Sequence, residues 1–91
     1  MRVSLLDHSE VKTLIISHHA RQRFRARANR HEDELYMALA EAEITSWQPP
    51  WVDSDTPTAL WALNGEFAFP LRPTSETGCW LVLTCLVRPR A

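Results

Sequence analysis

His19, Arg23 and Arg27 recur at every fourth position within the stretch His18-His19-Ala20-Arg21-Gln22-Arg23-Phe24-Arg25-Ala26-Arg27-Ala28-Asn29-Arg30-His31. On a helix these three side chains share one flank and span about 12 Å along the axis. An imidazole beside two permanent cations suits metal-free phosphodiester cleavage. The ring takes or returns a proton near neutral pH, and guanidinium groups stabilise the charge that builds on the phosphate. The same trio also suits a phosphate backbone held without chemistry, or a lattice of salt bridges to carboxylates elsewhere in the chain. At the level of sequence all three readings stand open.

The surroundings sharpen this. Residues 18–31 hold five Arg and three His with no acid, in a chain of 91 residues whose net charge is only −1. That excludes a uniformly basic nucleic-acid coat and points to a local site for an anion, with His18, Arg21, Arg25 and Arg30 as further contacts to RNA or to a partner. Arg predominates over Lys, and its planar fork suits bidentate contacts to phosphate or carboxylate. Metal chemistry has no support: His18 and His19 are adjacent, about 100° apart on a helix, and no His-x-x-x-His or Cys-x-x-Cys spacing occurs. No cofactor motif is present, neither a Gly-rich phosphate loop nor Gly-x-Ser-x-Gly. Thr84 is the hydroxyl in the middle of the last apolar run. It reads either as an ordinary β-branched strand residue or, if a helix packs over it, as a group that reaches His19. Trp47 and Trp51 bracket Gln48-Pro49-Pro50, which suits a lid on a small core or a stacking surface for a base or protein.

Elements must position these groups. Lys12 to Ile16 is β-branched and apolar, a strand, and Ser17 stands where a helix N-cap belongs. Helical spacing of Ala20, Phe24 and Ala28 predicts a helix from His18 to about Ala28. His19, Arg23 and Arg27 fall on one side of its apolar stripe, Arg21 and Arg25 on the other. Asn29-Arg30-His31 reads as a connection. Glu32, Asp33 and Glu34 open a second helix at the positive end of its dipole, with Leu35, Ala38, Leu39 and Ala42 inward, ending before Trp47-Gln48-Pro49-Pro50. Residues 1–10 read as a short strand or a loose arm.

The second half is β. Runs from Thr58 to Leu63 and Glu66 to Leu71 flank Asn64-Gly65, a hairpin signal that pairs Leu63 with Glu66 and puts Leu60, Ala62, Phe67 and Phe69 on a core face. Pro70 is expected at a strand end or an edge. Cys79 to Val87, apolar on both faces, reads as a central strand. Thr84 then shares a face with Trp80, Val82 and Leu86. Cys79 and Cys85 lie too far apart in such a strand to bridge and read as small buried residues. The expectation is one α+β domain of two layers: one or two N-terminal helices on a mostly antiparallel sheet of about four strands. Its apolar stretches are too short to span a bilayer, and no signal segment opens it; a cytoplasmic, soluble protein is expected.

The stretch Ile16-Ser17-His18-His19-Ala20-Arg21-Gln22-Arg23-Phe24-Arg25-Ala26-Arg27 resembles the Ser-x-His-Ala-x-x-Arg-(aromatic or Met)-x-x-Arg opening of small bacterial and phage proteins of the RelE-like, colicin-like ribonuclease toxin fold. Leu81-Val82-Leu83-Thr84-Cys85-Leu86 is similar to their closing apolar strand with an embedded Thr. The resemblance covers about two-thirds of the chain. It implies one or two helices on a four-stranded antiparallel sheet, with His19, Arg23 and Arg27 lining the site and Thr84 near it. RelE-type toxins are more basic, and neither the acidic second helix nor the Trp-rich loop follows from the family pattern.

Two functions from different classes fit these residues. One is a metal-independent endoribonuclease-like, toxin-type domain acting on RNA or a ribosome-associated substrate. In it His19 is the acid/base, Arg23 and Arg27 hold the phosphate and Thr84 orients it. The other is a non-enzymatic phage or host regulator, whose Arg helix meets an acidic protein, an antitoxin or a nucleic-acid enzyme, with exposed aromatic anchors.

Overall fold

The computed structural model describes residues 2–4, 10–28, 30–52 and 58–89. The expected connection at Asn29 and part of the expected strand or arm over residues 1–10 fall outside them. The chain runs β1 (Arg2–Ser4), β2 (Thr13–Ile16), α1 (His18–Ala28), α2 (Glu32–Ala40), β3 (Glu43–Thr45), β4 (Leu60–Asn64), β5 (Phe67–Pro73), β6 (Cys79–Val82) and β7 (Leu86–Val87). Both helices lie on one face of a single sheet ordered β1-β2-β6-β5-β4-β3, with β7 also beside β5. The α+β, two-layer expectation therefore holds. The strand number does not: among the described residues seven strands join the sheet rather than about four. Five pairings are antiparallel. The sixth, β2 with β6, is parallel, with Leu14 opposite Trp80 and Ile16 opposite Val82. Such a pair needs a long crossover, which here contains both helices and three strands.

Helix α1 forms where the apolar spacing places it. Ala20 and Phe24 are fully buried, and Ala28 packs against the same core. Ser17 caps it: the Ala20 amide donates to Ser17 Oγ at 3.0 Å, and the same hydroxyl donates to the Leu83 carbonyl at 3.2 Å. One side chain thus satisfies a helix-end amide and fastens the helix to the sheet. Ser17→Ala is expected to cost about 1–2 kcal/mol, as a lost cap and an unpaired carbonyl. Urea unfolding checks this.

The carboxylates of the first turn of α2 sit as expected, and His31 supplies the cap, its Nδ1 accepting from the Asp33 amide at 3.2 Å. At the far end Asn64 Nδ2 donates to the Ala38 carbonyl at 3.0 Å. Asn64 is therefore a strand residue and not a turn residue. The hairpin turn is Gly65-Glu66, with Asn64 opposite Phe67 and Leu63 opposite Ala68. Gly65 takes the positive φ of 58° that the first turn position of a tight hairpin demands. The expected pairing of Leu63 with Glu66 is thus displaced by two residues. An even displacement leaves every side chain on its face, so Leu60, Ala62, Phe67 and Phe69 still enter the helix-facing core. On the opposite face Trp61 and Ala68 pack with Val52, Trp51, Leu63 and Leu86.

Pro70 corrects a further expectation. It lies buried inside β5, opposite Trp61. Its carbonyl accepts from the Leu83 amide at 3.0 Å. In an antiparallel ladder a residue's N–H and C=O face the same neighbour, so the N–H that Pro70 lacks is the one that would return to the Leu83 carbonyl. Here the partner strand breaks. Before the break Leu71 opposes Val82; after it Ala68 opposes Leu86, one residue out of step. The extra residue is a β-bulge, and it splits the expected central strand into β6 and β7. Val82 and Cys85, on either side, both enter the helix-facing core. Leu86 consequently does not share the face of Trp80 and Val82. Both cysteines are buried and free.

Candidate functional site

The bulge decides what the α1 flank can do. It leaves two carbonyls out of the ladder, and α1 takes both: Ser17 Oγ donates to Leu83 O, and Arg27 Nη1 donates to Cys85 O at 3.1 Å. The helix is bolted across the irregular strand at both ends. Arg27 is exposed overall and spends one of its donors on the bolt. Its remaining N–H groups are available to an anion beside β7.

His19 and Arg23 are both exposed and in contact, Arg23 Nε donating to His19 Nε2 at 3.4 Å. A bond in this direction requires an unprotonated Nε2, the form of the ring that accepts a proton. Among the described residues no carboxylate pairs with Arg23, Arg25 or Arg27, whereas Arg21 meets Glu32 at 3.3 Å and Arg30 meets Glu66 at 3.8 Å. The cluster thus divides. Arg21 ties α1 to α2. Arg30 rests over the Phe67 ring at 5.5 Å and near Glu66. Arg25 and Arg30, with Gln22 and Ala26, border an open depression of about 540 Å³ on the outer side of α1. His18 is exposed at the first position of the helix.

Thr84 is half-buried in the bulge, between the two residues whose carbonyls hold α1. Among the described residues its hydroxyl makes no hydrogen bond to His19, Arg23 or Arg27. The structure therefore brings together His19 with Arg23, and Arg27 with the bulge that contains Thr84. Ser17 is the hydroxyl that fastens α1 to the bulge. Its cap position was legible in the sequence, but its second bond, to a carbonyl 66 residues away, was not.

Cys85 is fully buried beside Arg27, and burial pushes its thiol from 9.0 up to about 12, with the Arg27 charge pulling weakly the other way. It is a packing residue and not a nucleophile. An unfolded chain loses this proton near 9 while the folded one keeps it to about 12. Stability present below pH 9 is therefore expected to drain away as pH rises through that window. Urea midpoints at neutral and alkaline pH, compared with Cys85→Ala, check the loss.

Trp51 covers the smaller core on the far face of the sheet, while Trp47 is 54% exposed. The described residues contain no group of three potential metal ligands and no helix long and apolar enough to cross a membrane. Comparison of the chain with protein-family models, curated proteins and solved structures finds no match.

Proposed function

We propose that the protein is a small, metal-independent ribonuclease-like domain that holds RNA along the His19–Arg23–Arg27 flank of α1. The observation that carries this reading is the exposed His19–Arg23 hydrogen bond, with Arg27 one turn on and no described carboxylate to neutralise either arginine. The resemblance of this helix to the RelE-like toxins supports the same reading.

In this reading an incoming phosphate draws Arg23 away from the imidazole and frees Nε2. His19 then takes the proton of the ribose 2′-hydroxyl. The 2′-oxygen bonds to phosphorus, the bond to the 5′-oxygen breaks, and that oxygen takes a proton from the imidazolium or from water. The products are a cyclic phosphate and a 5′-hydroxyl end. Arg23 and the free donors of Arg27 stabilise the charge on the phosphoryl oxygens. The test is incubation of purified protein with RNA, with and without ribosomes, in excess chelator. Cleavage that His19→Ala abolishes supports the assignment. No cleavage of any RNA removes it.

One observation favours a second reading, a regulator that docks on another protein. Met37 is 62% exposed on α2, in a depression of about 660 Å³ that also takes in Glu34 and Glu41. In this reading the arginines of α1 meet carboxylates of the partner while Met37 of α2 anchors the contact. A stoichiometric protein partner recovered without RNA, from a chain that cuts none, is the outcome that selects it.

A further inference from the structure

The loop after β3 builds a surface that the nuclease reading leaves unused. Gln48 Nε2 donates to the Val52 carbonyl at 2.8 Å, and the Val52 amide donates to Pro49 O at 3.0 Å. Pro49 is buried, Pro50 stiffens the turn, and Val52 enters the small core beneath with Trp61. The internally bonded segment 47–52 thus presents two indoles differently. Trp51 packs against the core, and Trp47 stands out into solvent. Between them lies a cleft of about 350 Å³, floored by prolines and Leu63. That is at the small end of ligand clefts. Its charged lining residue is a cation, Arg88, which follows β7.

We infer that this cleft holds one unpaired base of single-stranded RNA, stacked on Trp47, with Arg88 on the adjoining phosphate. The inference rests on the proposed RNA function and names where the strand goes after the α1 flank. Arg88 follows Cys85 by three residues, roughly 10 Å of extended chain, and the Cys85 carbonyl is where Arg27 is fastened. Within the described sheet β7 pairs with β5 alone, so its other edge offers a path from Arg27 to the cleft. Charge favours this direction over the depression beside α2, where three carboxylates, Glu34, Glu41 and Glu66, outnumber the single cation Arg30. An aromatic platform with a neighbouring cation binds single strands with little sequence preference, because every base has a stackable face.

The experiment is fluorescence anisotropy of a short labelled oligouridylate whose 2′-O-methyl riboses prevent cleavage, titrated with wild type, W47A, W47F and R88A. Trp47 and Arg88 are exposed, so circular dichroism is expected to show all variants folded. W47A should weaken binding about tenfold, with W47F keeping most of the affinity. R88A should lower the salt slope by about 0.7, one phosphate contact. Wild-type affinity in W47A overturns the inference, even if RNA cleavage by His19 is established. Binding that depends on Trp47 in a protein that cuts no RNA upholds the cleft and removes the nuclease.

Discussion

Phe24→Ala is expected to lower the stability of the domain by about 3–5 kcal/mol, the largest single effect of any substitution in α1. The apolar stripe of that helix is narrow. Ala20 and Phe24 are fully buried, and Ala28 is only half so. The two alanines allow close approach to the sheet but bury little surface, so the Phe24 ring supplies most of the apolar burial. It lies 5.4 Å from Phe67, which in turn touches Phe69 at 6.2 Å. Removing it opens a cavity between helix and sheet, in a domain whose class is stable by only about 5–15 kcal/mol. A urea midpoint that falls sharply with an unchanged slope is the expected result. Phe24→Leu should lose much less, since most of the volume remains. A loss under about 1 kcal/mol in Phe24→Ala would mean that Ser17 and Arg27 hold the helix without the ring, contrary to ordinary core-truncation costs.

The same helix shows what the amino-acid pattern could and could not convey. Its span, its Ser17 cap and the division of arginines into two flanks all follow from local spacing and end chemistry. The faces of the β4–β5 hairpin were legible too, because alternation records which side chains share a face. Register was not: a shift of two residues leaves the alternation intact, and only the Asn64 bond to α2 and the positive φ of Gly65 select the observed turn. The parallel union of β2 with β6 joins segments more than sixty residues apart, and no local pattern encodes it. Strand β3 is three residues long, too short to show a period. The bulge left a trace. Trp80, Val82, Cys85 and Val87 all reach the helix-facing core, so the step of two becomes a step of three opposite Pro70. A proline read as an edge marker was instead the cause of a break in a covered strand. The tie between Arg27 and Cys85 follows from that break and could not be read before it.

Under the proposed nuclease function, His19→Ala is expected to reduce RNA cleavage about 100- to 10,000-fold, the range for removal of a general acid/base. Geometry underlies so large an effect. His19 is an exposed ring whose Nε2 accepts a hydrogen bond from a cation that is itself unpaired with any described carboxylate. Moving that cation onto a phosphate exposes a base and neutralises the phosphate in one motion. The two arginines should then behave differently from the histidine and from each other. Arg23→Ala removes charge stabilisation without touching any bond between helix and sheet, so rate falls and the urea midpoint stays. Arg27→Ala also leaves the Cys85 carbonyl without its donor, so rate and stability fall together, the latter by about 1–3 kcal/mol. Parallel measurement of single-turnover rates and urea midpoints separates the two cases. Should Arg23→Ala destabilise the fold as much as Arg27→Ala, or should cleavage survive in His19→Ala, the flank is a structural edge and the chemistry lies elsewhere.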